Sequence, residues 1–279
     1  MATLDERSMR IEGVDVPRLI YGTAWKEGRT SELTRVALEA GFRGIDTANQ
    51  RRHYDEAAVG EGLRAAGASG IFLQTKFTSL DGQDARLPYD RNARVSVQVA
   101  ESLESSLRHL GVATIDSYLL HGPSAPDRFT SEDWEAWGAM EAAHAAGKVR
   151  LVGVSNVTLR HLVPLYERAK VLPSVVQNRC FARMGWDRAV RQFCRERGIA
   201  YQGFSLLTAN PDVVRHPRLR AICARTGKTT AQVVFRFALE VGMIALTGTT
   251  SAQHMAEDLA VYDFALDADE VQAIERLMG

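Results

Sequence analysis

The stretch most informative about the fold of this chain is Ile71-Phe72-Leu73-Gln74-Thr75-Lys76, because a run typical of a buried strand ends there on an ammonium group. The chain contains only five lysines against 29 arginines, so a lysine at this point is not routine surface decoration. Two other strand-like runs end in the same manner, one on Asp46 and one on His121. In a parallel α/β barrel all strands end at one mouth, where functional side chains collect. We therefore predict that Asp46, Lys76 and His121 converge.

Eight β-type runs recur along the chain and alternate with segments of helical periodicity. The runs are residues 18–23, 42–47, 71–76, 116–121, 151–156, 175–178, 200–205 and 243–248. The helical segments are 31–40, 93–110, 132–147, 158–169, 188–197, 229–241, 252–261 and 267–278. This alternation predicts an α/β fold, a (β/α)8 TIM barrel. Residues 9–16 predict a short N-terminal β-hairpin that closes the bottom of the barrel. A doubly wound sheet is disfavoured because the sequence contains no GxGxxG turn.

Length and composition fit this fold and exclude several functions. A chain of 279 residues without linker or repeat predicts one barrel domain over residues 1–279. Its 34 basic and 34 acidic residues balance, which predicts no nucleic-acid partner and no binding to a membrane surface. We see no apolar run long enough to span a membrane and no signal peptide. The three cysteines lack metal-ligand spacing, so we expect reduced thiols, no metal and a cytoplasmic location.

Three motifs in order carry a family resemblance. They are Gly44-Ile45-Asp46-Thr47-Ala48, Tyr118-Leu119-Leu120-His121-Gly122-Pro123, and the segment GKVRLVGVSN at residues 147–156. With them the chain resembles the aldo-keto reductases nearly from end to end. The resemblance implies a barrel that binds a nicotinamide cofactor without a Rossmann domain. It also implies NAD(P)H-dependent reduction of an aldehyde or ketone, with a small carbonyl compound as the partner.

The resemblance implies a catalytic tetrad of Asp46, Tyr54, Lys76 and His121. Reduction of a carbonyl needs a proton at the developing alkoxide, and a tyrosine can supply it if its pKa falls from about 10 toward neutrality. A nearby ammonium is expected to lower that pKa. Residues 49–56 read NQRRHYDE, which departs from the turn usual in the family. Counting back from Glu56 would put His53 in the place of the tyrosine, so His53 is the alternative proton donor.

The resemblance also implies a cofactor groove. Its expected residues are Gly22, Thr23, Ser155, Asn156, Gln177, Phe204, Ser205, Leu207, Gly248, Thr249, Thr250, His254, Glu257 and Asp258. Among them, Ser155, Asn156 and Gln177 are expected at the carboxamide, and Phe204 is expected to stack on the nicotinamide. Gly248 and His254 stand where many members carry a lysine and an arginine for the 2′-phosphate. We expect NADPH as the cofactor, with NADH possible.

Trp25 is the expected substrate-binding wall, and no substrate is specified beyond a carbonyl compound. Two other functions stay open on the sequence. One is a nicotinamide-binding regulatory subunit with little turnover, which the altered turn before Tyr54 favours. The other is a barrel enzyme that forms a Schiff base through Lys76. The sequence does not specify an oligomeric state.

Overall fold

The predicted barrel and its hairpin are confirmed by the computed structural model, which describes residues 7–278; residues 1–6 and 279 of the predicted domain lie outside it. Strands β1 (Ser8–Ile11) and β2 (Val14–Pro17) pair antiparallel as the hairpin. The barrel strands are β3 (Leu19–Gly22), β4 (Gly44–Asp46), β5 (Phe72–Phe77), β6 (Ile115–Leu120), β7 (Val149–Ser155), β8 (Val175–Arg179), β9 (Ala200–Phe204) and β10 (Ile244–Thr247). They are parallel and close in the order β10-β3-β4-β5-β6-β7-β8-β9.

Helices cover the outside of the barrel. In the described part of the chain they are α1 (Thr30–Ala40), α2 (Glu56–Ala65), α3 (Val95–Leu110), α4 (Ser131–Ala145), α5 (Leu159–Arg168), α6 (Arg188–Glu196), α7 (Pro211–Arg215), α8 (Pro217–Thr226), α9 (Thr230–Glu240), α10 (Ala252–Leu259) and α11 (Ala268–Glu275). None of those within residues 7–278 is long and apolar enough to cross a membrane. Helices α2, α7 and α8 were not predicted.

Helix α2 was not predicted because the glycines at positions 60 and 62 lower helix propensity. Tertiary packing explains both glycines. A Cβ on Gly60 would lie 2.0 Å from the His109 carbonyl oxygen, and one on Gly62 would lie 2.6 Å from the Ser31 carbonyl oxygen. The helix therefore packs closely against α1 and α3. Asp55 begins it by accepting a hydrogen bond from the Ala58 N–H at 3.1 Å.

The interior of the barrel changes from apolar to polar along the strands. Alternate side chains of a strand share one face, and the lower layer contains buried apolar residues such as Phe72 and Leu119. Ile11, Val14 and Val16 of the hairpin pack against this layer and close the bottom. The next inward residue on β5 after Phe72 is Gln74, followed by Lys76. The strand therefore carries its polar groups toward the C-terminal mouth.

Candidate active site

Strand ends bring Asp46, Lys76 and His121 together with Tyr54. The Lys76 ammonium donates to Asp46 Oδ1 at 2.7 Å and to the Thr47 carbonyl oxygen at 2.8 Å. The same nitrogen lies 5.5 Å from the centroid of the Tyr54 ring. The Tyr54 and His121 rings meet edge to face at 6.0 Å. The four side chains named by the sequence thus line one space at the mouth of the barrel.

His53 lies apart from this group. Its ring packs on the Trp25 indole with the centroids 3.8 Å apart, and its carbonyl oxygen accepts from the Trp25 N–H at 2.8 Å. The two candidates end a short turn, in which the His53 and Tyr54 N–H groups both donate to the Gln50 carbonyl oxygen. The turn directs Tyr54 toward Lys76 and leaves His53 against Trp25. Trp25 itself is 67% exposed and forms part of the wall of an open cleft.

His121 is a neutral imidazole in this environment. Burial, with the nearby positive charges of Lys76 and His53, lowers its pKa to about 3. Its Nδ1 lies 2.6 Å from the Thr78 hydroxyl. If that hydroxyl donates, the single proton of the neutral ring stays on Nε2 and can be donated to a substrate oxygen. Thr78 was not singled out from the sequence, although it lies two residues after Lys76.

Tyr54 departs from one expectation. The nearby ammonium was expected to lower its pKa, but burial and the Asp46 carboxylate raise that pKa above the usual value. The reason is that Lys76 is itself paired with Asp46, so the phenol experiences a nearly neutral pair inside a poorly solvated site. Burial also lowers the pKa of Lys76, against the opposing effect of Asp46. Tyr54 is therefore held in its protonated form.

Three buried glutamines surround Asp46, of which Gln177 was expected at the carboxamide and Gln74 and Gln202 were not singled out from the sequence. Gln74 and Gln177 donate to Asp46 Oδ1 at 2.7 and 3.0 Å, beside Lys76 on the same oxygen. Gln202 accepts from both, at 2.7 and 2.9 Å, and donates back to Gln74 at 3.0 Å. The available signal was their position, since Gln74 shares the inward face of β5 with Lys76. We refer to Gln74, Gln177 and Gln202 as the glutamine network.

The residues expected at the carboxamide lie at the ends of β7 and β8, and Phe204, expected to stack on the nicotinamide, ends β9. The Asn156 side chain donates to the His121 carbonyl oxygen at 2.8 Å and to Ser155 Oγ at 3.1 Å. Asn156 and Ser205 have φ values of 57° and 56°, which side-chain-bearing residues seldom adopt. Such backbone conformations tend to occur at functional sites.

Gln177 belongs to the glutamine network, so its amide hydrogens are directed at Asp46 and Gln202. Phe204 ends β9 and is partly exposed.

The residues expected at the phosphate lie around the start of α10, where a buried cation was not foreseen. Lys26 Nζ donates to the Gly248 carbonyl oxygen at 2.6 Å and to the Ala24 carbonyl oxygen at 3.0 Å. A Cβ on Gly248 would lie 3.3 Å from that nitrogen. Burial lowers the pKa of Lys26. An ammonium has three donors, and two are used here, so one remains for an anion.

The other residues of this end differ in their exposure. Thr249 Oγ1 lies 3.4 Å from His254 Nδ1 and also accepts from the Ser251 N–H at 3.2 Å. Thr250 and His254 are exposed, and Glu257 accepts from Gln253 at 2.8 Å. Asp258 is buried and accepts from the Thr247 hydroxyl at 2.6 Å, so it holds the end of β10. The expected residues Gly22, Thr23 and Leu207 lie at or just beyond the ends of β3 and β9.

The geometry and the motifs agree with comparisons against known proteins. The model of the aldo/keto reductase family matches residues 18–210 and 213–278. The chain belongs to this family. It is therefore an NAD(P)H-dependent oxidoreductase, as the resemblance implied.

Relatives of known sequence and structure match over nearly the whole chain. The uncharacterized oxidoreductase YtbE of Bacillus subtilis is 30% identical over 269 residues, which cover 95% of this chain and 90% of the relative. Methylglyoxal reductase DkgA of Salmonella typhimurium is 30% identical over 272 residues, covering 95% and 91%. A variant of Gox0644 in complex with NADPH is 29% identical with a TM-score of 0.82, covering 97% of this chain and 93% of that one.

Proposed function

We propose that this protein reduces an aldehyde or ketone to the alcohol, with Tyr54 as the proton donor. The observation that carries the proposal is the shared space of Tyr54, Lys76 and His121, while His53 packs on Trp25 instead. The hydride for the carbonyl carbon would come from a nicotinamide cofactor when one is bound. Tyr54 then gives its proton to the oxygen. The raised pKa of Tyr54 keeps that proton in place until an alkoxide, a much stronger base than phenolate, develops.

The other members of the tetrad position the acid and the substrate. Lys76, held by Asp46 at 2.7 Å, places a positive charge beside the phenol and stabilises the phenolate left after proton transfer. His121, neutral and oriented by Thr78, donates to the carbonyl oxygen and fixes its direction toward Tyr54. A Schiff-base role for Lys76 finds little support, because its amine is buried and paired as an ammonium with Asp46. A subunit with little turnover is disfavoured by the complete tetrad.

The test compares two neighbouring residues. Tyr54→Phe should lower the rate of carbonyl reduction about 100-fold or more, as expected when a general acid is removed, without loss of cofactor binding. His53→Ala should cost much less, because in this reading it only flanks the site. Reduction of a simple aldehyde is followed through the absorbance of the reduced cofactor. If His53→Ala abolishes turnover and Tyr54→Phe does not, the assignment of the proton donor is wrong.

We propose NADPH as the preferred cofactor, although Gly248 and His254 replace the cations usual in the family. The residues present fit the group: Ser155, Asn156 and Phe204 would hold the nicotinamide. Thr249, Thr250 and the N-terminus of α10 would hold the phosphate. The free donor of Lys26 lies where a side chain at position 248 would begin. Lys26 would therefore supply a cation that the sequence pattern had lost.

This role for Lys26 is measurable by binding alone. Lys26→Met should weaken NADP⁺ binding by about 10- to 100-fold and NAD⁺ binding much less, because a charge-assisted hydrogen bond contributes about 1.5–3 kcal/mol. Quenching of tryptophan fluorescence gives both dissociation constants. Lys170→Met is the control, since Lys170 is exposed and follows the C-terminal end of α5. Equal losses of affinity for both cofactors would show that Lys26 stabilises the loop and does not bind the phosphate.

A further inference from the structure

A cleft beside Tyr54 is lined by arginines that the tetrad does not use. It has a volume of 310 Å³, and its walls include Trp25, Arg51, Arg52, Tyr54 and Arg86. A second cavity of 310 Å³ shares Arg51 and Arg86 and adds Arg108. Tyr54 thus shares the wall of one cleft with three arginines, beside the carboxylates of Glu27 and Asp55.

The local chain path explains why these charges lie near the proton donor. Arg51 and Arg52 stand at the tip of the turn whose His53 and Tyr54 N–H groups return to the Gln50 carbonyl oxygen. Arg86 fixes this turn from the neighbouring loop by donating to the Arg51 carbonyl oxygen at 2.7 Å. Because Arg51 and Arg52 line the same cleft as Tyr54, a substrate that reaches Tyr54 through this cleft has part of its molecule close to the tip of the turn.

Most of the carboxylates around this cleft are already engaged. Asp84 pairs with Arg86, and the Arg51 charge further lowers the pKa of Asp84, which is about 2. Asp55 begins α2 by accepting from the Ala58 N–H. Glu27 is the remaining acidic residue of the wall, on the side next to α1. Within residues 7–278, the guanidinium groups of Arg51 and Arg52 make no hydrogen bond or ion pair, so both can serve a ligand.

We propose that the substrate is a carbonyl compound that also carries an anionic group, a carboxylate or a phosphate, which Arg51 and Arg52 bind. This rests on the proposed function, whose site it uses. Guanidinium groups bind carboxylate and phosphate oxygens through paired hydrogen bonds, which gives both affinity and direction. The Trp25 and His53 rings, in contact with their planes tilted by 38°, line the same cleft and provide an apolar wall for the rest of the substrate. The anionic group stays unchanged while the carbonyl carbon takes up hydride and its oxygen takes up a proton.

The experiment uses pairs of aldehydes in which one member carries an anionic group and the other a neutral group at the same ring position. 4-Carboxybenzaldehyde should have a kcat/KM about tenfold higher than its methyl ester, the gain expected from one charge-assisted contact. 4-Formylphenyl phosphate, compared with 4-methoxybenzaldehyde, tests phosphate as the anionic group. In the double variant Arg51→Gln, Arg52→Gln the acid-to-ester ratio should fall to about one. Arg195→Gln, an exposed arginine near the C-terminal end of α6, should leave the ratio unchanged.

Binding of the alcohol products separates this inference from the proposed function. 4-(Hydroxymethyl)benzoate should bind to the protein with oxidised cofactor about tenfold more tightly than its methyl ester, and the double variant should remove the difference. This measurement does not depend on turnover. Equal binding of acid and ester, or a preference that survives in the double variant, would overturn the substrate class even if the aldehydes are reduced. Loss of turnover with the binding preference intact would instead contradict the proposed reaction.

Discussion

The glutamine network should contribute measurably to stability, and its residues should act as a unit. Gln74 makes four side-chain hydrogen bonds: it donates to Asp46 and Gln202 and accepts from Gln202 and Ser117. Gln202 makes three, two of them the reciprocal pair with Gln74. Each buried bond contributes about 0.5–1.5 kcal/mol net. Apolar burial of a replacing methionine offsets part of the loss.

We expect Gln74→Met to lower the free energy of unfolding by about 3 kcal/mol and Gln202→Met by about 2 kcal/mol. Gln74→Met is the more damaging because it leaves the Ser117 hydroxyl and Gln202 Nε2 without an acceptor, whereas Gln202 Oε1 keeps its bond from Gln177. The two residues share two hydrogen bonds. The double variant should therefore lose about 2 kcal/mol less unfolding free energy than the sum of the two single losses.

The assay is equilibrium unfolding in urea, followed through the buried Trp137 and Trp186. Gln98→Met provides the control, because Gln98 is a buried glutamine that donates to the Arg91 and Ala93 carbonyl oxygens instead. The losses of unfolding free energy caused by Gln98→Met and Gln202→Met should be additive in the double variant. Single variants as stable as the wild type, or an additive Gln74 and Gln202 pair, would refute the idea that the network acts as a unit.

Two further predictions concern pH. Burial raises the pKa of Asp258 to about 6, above its unfolded value of 3.8, so its contribution to stability is fully present below pH 3.8 and is lost as the pH rises through 6. The gain in unfolding free energy from Asp258→Asn should therefore be roughly 1–2 kcal/mol larger at pH 7.5 than at pH 5, as urea unfolding at both values would reveal. Because the pKa of His121 is about 3, the pH profile of kcat/KM for reduction should show no ionisation near 6.5. A limb at that pH that disappears in His121→Asn would contradict the neutral imidazole.

The barrel, its hairpin and the convergence of Asp46, Lys76 and His121 were predicted correctly from the sequence. The reason is that these features depend on local patterns. Strands and helices differ in the spacing of their apolar residues, and parallel strands end at one mouth. Asp46, Lys76 and His121 could therefore be assigned to the same place from their positions at strand ends. Strand boundaries differ from the predicted ones by only one or two residues at most ends.

Contacts between distant segments could be seen only in the folded structure. The sequence left Tyr54 and His53 as alternatives, because the path of a turn depends on what it packs against, here Trp25 on one side and Lys76 on the other. The Gln74–Gln202 pair joins residues 128 positions apart, and the contact of Lys26 with Gly248 joins residues 222 positions apart. No periodicity in a single sequence specifies such pairs, since closure of the barrel is what brings them together.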